Sequence, residues 1–81
     1  MTKTELIEWS HAQVRVMAEV HRLDPPLLGG IEYNVMLWHW VGYTVQSFVY
    51  AGFGHMCRCE AEALEFARAC TDDVRICYEE A

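Results

Sequence analysis

The spacing of hydrophobic positions changes period along the chain. Leu6, Trp9, Val16, Val20 and Leu23 recur at helical spacing, with Ile7, Val14 and Met17 widening the stripe. Thr2-Lys3-Thr4-Glu5 ahead of them matches a capping box, with Thr2 at the N-cap and Glu5 at the third helical position. This predicts one helix running from Thr2 to Asp24-Pro25-Pro26, which ends it because a residue before proline is pushed out of the α region. Leu27-Leu28-Gly29-Gly30 then reads as a turn.

From Ile31 the period becomes two. Ile31, Tyr33, Val35 and Leu37 alternate with Glu32, Asn34, Met36 and Trp38, the pattern of a strand with one apolar face. A second strand is expected from Tyr43 to about Phe53. A three-residue connection, Trp40-Val41-Gly42, suits a type I turn followed by a left-handed glycine. It predicts the pairs His39–Tyr43, Leu37–Val45, Val35–Ser47, Tyr33–Val49 and Ile31–Ala51. A two-residue loop would slip the register by one and mix the faces.

A helix follows from about Glu60 to Cys70, with Cys59, Ala63, Phe66, Ala67 and Cys70 on its inner face and Glu60, Glu62, Glu65 and Arg68 turned out. Val74, Ile76 and Tyr78 then alternate with Arg75, Cys77 and Glu79 as a short last strand. The expected fold is α+β, one small domain over residues 1–81 with element order α-β-β-α-β. Its three-stranded, mostly antiparallel sheet has strand order 2-1-3 and both helices on one face.

That arrangement leaves the opposite sheet face without a helix. Seven of the ten aromatic residues lie between Tyr33 and Phe53. Met36, Trp38, Phe48 and Tyr50 fall on the uncovered face, with Trp40 and Val41 at the hairpin tip. An open apolar patch of this kind is more than a monomer usually leaves without a use, and Trp, Tyr and Met are common interface anchors. Cross-strand pairing alone, or burial of this face under the first helix, are the alternatives.

Charge adds a second feature. The formal net charge is −6, and residues 60–81 carry Glu60, Glu62, Glu65, Asp72, Asp73, Glu79 and Glu80 against only Arg68 and Arg75. A direct nucleic-acid binder needs a basic footprint, and this chain has the reverse. An acidic end suits either solubility or a basic partner surface. With 22% charged and 53% hydrophobic residues the composition is globular. No run is long enough to span a membrane, and the polar, amphipathic start MTKTELIEW lacks the layout of a signal peptide. A reducing, cytoplasmic location is the expectation.

Candidate chemistry is sparse. In an extended segment His55, Cys57 and Cys59 would point one way and could begin a zinc site, yet the spacing is not a zinc knuckle. Packing of the cysteines is the more economical reading. Ser10 and His11 are neighbours on a helix and cannot face each other as nucleophile and base. His21 with Asp24 reads as a helix C-terminal interaction. The glycines of Ala51-Gly52-Phe53-Gly54 lack a phosphate-binding spacing. No catalytic residue, metal or cofactor is assigned.

In size, acidity and α-β-β-α-β make-up the whole chain resembles the small proteins with which phages and other mobile elements block bacterial defence, anti-CRISPR proteins being the best-known group. That resemblance implies a non-enzymatic, stoichiometric inhibitor of a nucleic-acid-handling host complex. The expected partner is a larger protein or ribonucleoprotein with a basic surface, with no direct nucleic-acid binding and no membrane contact. Trp38, Trp40, Phe48, Tyr50 and Met36 would anchor it, and the seven acids of the C-terminal third would steer it. A homodimer packed through the aromatic sheet face is the alternative, and a metal- or thiol-dependent protein a third.

Overall fold

The computed structural model describes residues 1–42 and 46–79. Its elements are α1 (Lys3–Ala12), β1 (Val16–Leu27), β2 (Ile31–Gly42), β3 (Gln46–Cys57), α2 (Glu60–Cys70) and β4 (Val74–Ile76). They form a small α+β domain with a mixed four-stranded sheet of order β3-β2-β1-β4. β1 runs antiparallel to β2 and parallel to β4, and β2 runs antiparallel to β3.

The expected three-stranded sheet of order 2-1-3 is therefore corrected by one strand, and so is the α-β-β-α-β order. The first helix starts as its capping box requires. The Glu5 N–H donates to Thr2 Oγ1 at 3.2 Å, and the Thr2 N–H donates to Glu5 Oε1 at 3.0 Å. It stops at Ala12, however, and the chain turns extended at Gln13. Residues 14–21 satisfy two periods at once. Val16 and Val20 extend the helical stripe of Leu6 and Trp9, but Val16, Ala18 and Val20 also alternate with Met17, Glu19 and His21. β-Branched side chains favour the pleated option. Tertiary pairing decides it, because β1 supplies hydrogen-bond partners to both β2 and β4. The Asp24-Pro25-Pro26 segment, expected to end a helix, instead lies where the β1–β2 register shifts between Arg22 and Leu27, and the Asp24–Pro25 peptide is cis. Proline is tolerated there because the ladder is already interrupted.

The hairpin is also longer than expected. Trp40 pairs with Phe48 and Gly42 with Gln46, so strands continue through the Trp40-Val41-Gly42 segment. Residues 43–45, which include the expected partners Tyr43 and Val45, lie outside the described residues. His39 pairs with Val49, Val35 with His55 and Tyr33 with Cys57. Each partner is displaced from its expected position by an even number of residues, so every side chain keeps its face. Between the pairs Met36–Gly54 and Trp38–Tyr50, β3 carries Ala51, Gly52 and Phe53 opposite the single residue Leu37, a bulge with Gly52 at φ +85°.

Both helices cover one face. Ala18, Val20, Val35 and Leu37 project from the sheet into a core completed by Leu6, Ala63, Phe66, Ala67 and Cys70, with Phe66 fully buried. Trp9 of α1 packs edge-on against Phe53, with ring centroids 4.7 Å apart. Cys59, expected on the inner face of α2, is its exposed N-cap residue. Thr71 ties the layers together: its hydroxyl donates to the Val16 carbonyl at 2.6 Å and accepts the Asp73 N–H at 3.1 Å.

Two substitutions test this packing. Phe66→Ala is expected to cost about 3–5 kcal/mol, the range for emptying a buried aromatic site. Gly54→Ala places a methyl against the Val35 backbone carbonyl across the β2–β3 ladder and is expected to cost about 1–3 kcal/mol. Both appear as lowered midpoints in urea unfolding followed by circular dichroism.

Candidate functional site

The face of the sheet opposite the helices is built in rows by the strand register. In the first, Arg15 precedes β1 beside Trp40, whose N–H donates to the Arg15 carbonyl at 2.9 Å, and Trp40 pairs with Phe48. In the second, Met17, Trp38 and Tyr50 lie side by side. The third holds Arg75 of β4, Glu19, Met36 and Gly54, and the fourth holds His21, Asn34 and Met56. The surface is thus apolar and aromatic at one end and polar at the other.

At the aromatic end the rings contact one another across the strands. Trp38 and Tyr50 lie 5.4 Å apart with tilted planes, and Trp40 and Phe48 meet edge-on at 5.2 Å. The Arg15 guanidinium sits 5.1 Å from the Trp40 ring and 5.3 Å from Phe48, a cation–π arrangement that holds both. Met17 is buried beneath its neighbours while Tyr50 remains exposed. The Trp38 indole N–H is covered and meets no acceptor among the described residues.

Of the positions singled out from sequence, Met36, Trp38, Trp40, Phe48 and Tyr50 come together here, with Trp40 in the face rather than at a tip. Phe48 lies across from Trp40, not Asn34, and Trp38 across from Tyr50, not Thr44. The acids do not join them. Glu60, Glu62 and Glu65 belong to α2, on the other side of the sheet. Glu60 accepts the Tyr78 hydroxyl at 2.7 Å, and Asp73 contacts Arg75 at 3.4 Å. Asp72 and Glu79 are exposed, and Glu80 lies outside the described residues. Arg15 and Met17 were missed because they sat inside the expected helix. The period-two alternation from Val14 to His21 is compatible with their place on a strand, but the helical period there is equally well met.

The His55–Cys57–Cys59 segment does not assemble as one group. His55 packs on Phe66 at 4.8 Å, Cys57 is buried, and Cys59 is exposed at the start of α2. Among the described residues the one group of three metal-type donors is Glu19, His21 and Cys77, all within 4.8 Å of one another. His21 belongs to this group on a strand, not to a helix end with Asp24. Its Nε2 lies 3.4 Å from Glu19 Oε1.

Ser10 is buried and donates to the Leu6 carbonyl at 2.9 Å, and His11 Nε2 donates to the Ala69 carbonyl at 2.6 Å. All four cysteines are unbridged. Burial raises the Cys57 and Cys70 thiols above their ordinary range. Burial, then the Glu19 carboxylate, raise Cys77, with Arg75 opposing. His55 is lowered by burial, then by Lys3, with Glu62 opposing.

Comparison with family models, with curated proteins and with solved structures finds no match.

Two outcomes follow from these environments. Under native conditions a thiol reagent is expected to modify Cys59 and Cys77 quickly and Cys57 and Cys70 only on unfolding, as peptide mapping after brief alkylation would show. The lowered His55 means that the unfolded chain binds its proton more tightly than the folded one. Its contribution to stability is therefore complete above the unfolded value of about 6.5 and is lost as pH falls toward the depressed folded value. Urea midpoints are expected to drop across that window, and to drop less in His55→Phe.

Proposed function

We propose that this chain is a non-enzymatic protein-binding module and that the aromatic end of its open sheet face is the contact surface. The observation that carries this reading is the Arg15–Trp40–Phe48 and Met17–Trp38–Tyr50 rows, assembled on the one sheet face that neither helix covers. Aromatic rings present large contact area at little entropic cost, and Trp, Tyr and Arg are enriched among interface anchors.

The partner proposed is a larger protein with a basic surface, and the activity proposed is stoichiometric inhibition of a complex that handles nucleic acid. The net charge of −6 supports this choice, as does the resemblance to anti-defence proteins in size and acidity, the part of it that does not rest on the corrected element order. The α2 acids lie on the other layer, so they act on approach rather than in the contact. Steering works through the summed field of the molecule and does not require charges inside the interface. A reducing, cytoplasmic setting suits four unbridged cysteines.

The test is a binding measurement against the partner that the chain captures from host extract. Trp38→Ala or Trp40→Ala is expected to weaken that complex about 30-fold, the equivalent of 2 kcal/mol. Raised salt is expected to slow association. Complex formation that ignores salt and survives alanine at Trp38, Trp40 and Phe48 overturns the reading. Light scattering over a dilution series supplies the other arm. A dimer that Trp38→Glu dissociates assigns the aromatic face to self-association instead.

A further inference from the structure

The polar end of the same face carries a different chemistry. Glu19 and His21 are alternate residues of β1 and therefore project from the same side of the sheet. Pairing of Glu19 with Arg75 and of Val20 with Ile76 continues in register to His21 and Cys77, and the Cys77 N–H donates to the Val20 carbonyl at 2.9 Å. β1 is hydrogen-bonded on both sides at this point, so the backbones beneath the carboxylate and the imidazole are fixed before any ligand arrives. One carboxylate oxygen, one imidazole nitrogen and one sulfur then lie within 4.8 Å of one another.

The local ion pairing is informative. Glu19 and Arg75 are directly paired across parallel strands and carry opposite charge, yet Arg75 Nε turns to Asp73 at 3.4 Å, while Glu19 Oε1 meets His21 Nε2 at 3.4 Å. Glu19 is thus left facing two other donors rather than neutralised by the nearest cation. The side chains of His21 and Glu19 are 35% and 23% exposed, and Cys77 is exposed, so the group opens to solvent.

We propose that Glu19, His21 and Cys77 form a binding site for a single divalent transition-metal ion of the zinc class. Oxygen, nitrogen and sulfur donors together match the borderline character of Zn²⁺. Ligands at 2.0–2.3 Å in tetrahedral array lie about 3.3–3.8 Å apart, so small side-chain rotations bring the three donors into place. A thiolate and a carboxylate neutralise the ion's two charges, and the solvent side supplies water as the fourth ligand. Binding releases the Cys77 proton to solvent as the sulfur–metal bond forms. The site links β4, the three-residue strand at one edge, to the centre of the sheet.

The experiment uses the full chain, reduced and freed of metal by a chelator, without an affinity tag. Titration with Co²⁺ as a spectroscopic stand-in is expected to produce a thiolate-to-cobalt absorption band that saturates at one equivalent and disappears when Zn²⁺ is added. Cys77→Ser is expected to abolish the band. His21→Ala and Glu19→Gln are expected to weaken binding by about tenfold or more. Cys59→Ser, the other exposed cysteine, leaves it unchanged. These side chains lie on the open face, and circular dichroism verifies that each variant is folded. Absence of a thiolate band overturns the assignment, as does a band that persists in Cys77→Ser or vanishes in Cys59→Ser.

Discussion

Two short helices cover only one side of a four-stranded sheet, and the molecule is organised around that limit. Phe66 of α2 is the point of closure. Its ring fills the space over the inner residues of the sheet, where Ala18, Val20, Val35 and Leu37 are sealed from water. Because α1 and α2 are committed to this one layer, every outward residue of β1, β2 and β3 must settle its own exposure. At one end the outward residues do so by stacking rings and a guanidinium on one another, and at the other by polar contacts.

The two faces were readable well before the pairing was. The alternation Ile31-Tyr33-Val35-Leu37 against Glu32-Asn34-Met36-Trp38 fixes which side of β2 is buried whatever its partners are. An error of an even number of residues in the hairpin register leaves that assignment intact, which is why Phe48 and Tyr50 were grouped with Trp38 despite wrong cross-strand partners. The position of the turn was less readable, because Gly42 offers a plausible left-handed residue and the Ala51-Gly52-Phe53 bulge carries no signature distinct from a loosened strand end. The second half of the expected first helix failed for a different reason. Val16 and Val20 are four apart and two steps of two apart, so their spacing serves a helix and a strand equally. Only the need of β2 and β4 for a common neighbour separates the two, and that is a fact about the whole sheet.

The same ambiguity hid the polar cluster. With residues 14–23 on a helix, Glu19 and His21 point in different directions and Cys77 has no reason to approach either. On a strand they share one side, and the parallel β4 brings Cys77 beside them. His55, Cys57 and Cys59, adjacent in sequence, are separated by the end of β3 and the start of α2. Closeness along the chain was the poorer guide to closeness in space.

The bulge in β3 has a bearing on how copies of this molecule meet at high concentration. β3 forms one border of the sheet over twelve residues, while the opposite border, β4, has three. A long, straight border of unpaired backbone groups invites strand addition from another chain and is a common route to aggregation. The three residues set against Leu37, with Gly52 in the left-handed region, interrupt that border part-way along. An incoming strand therefore finds no continuous template along this rim.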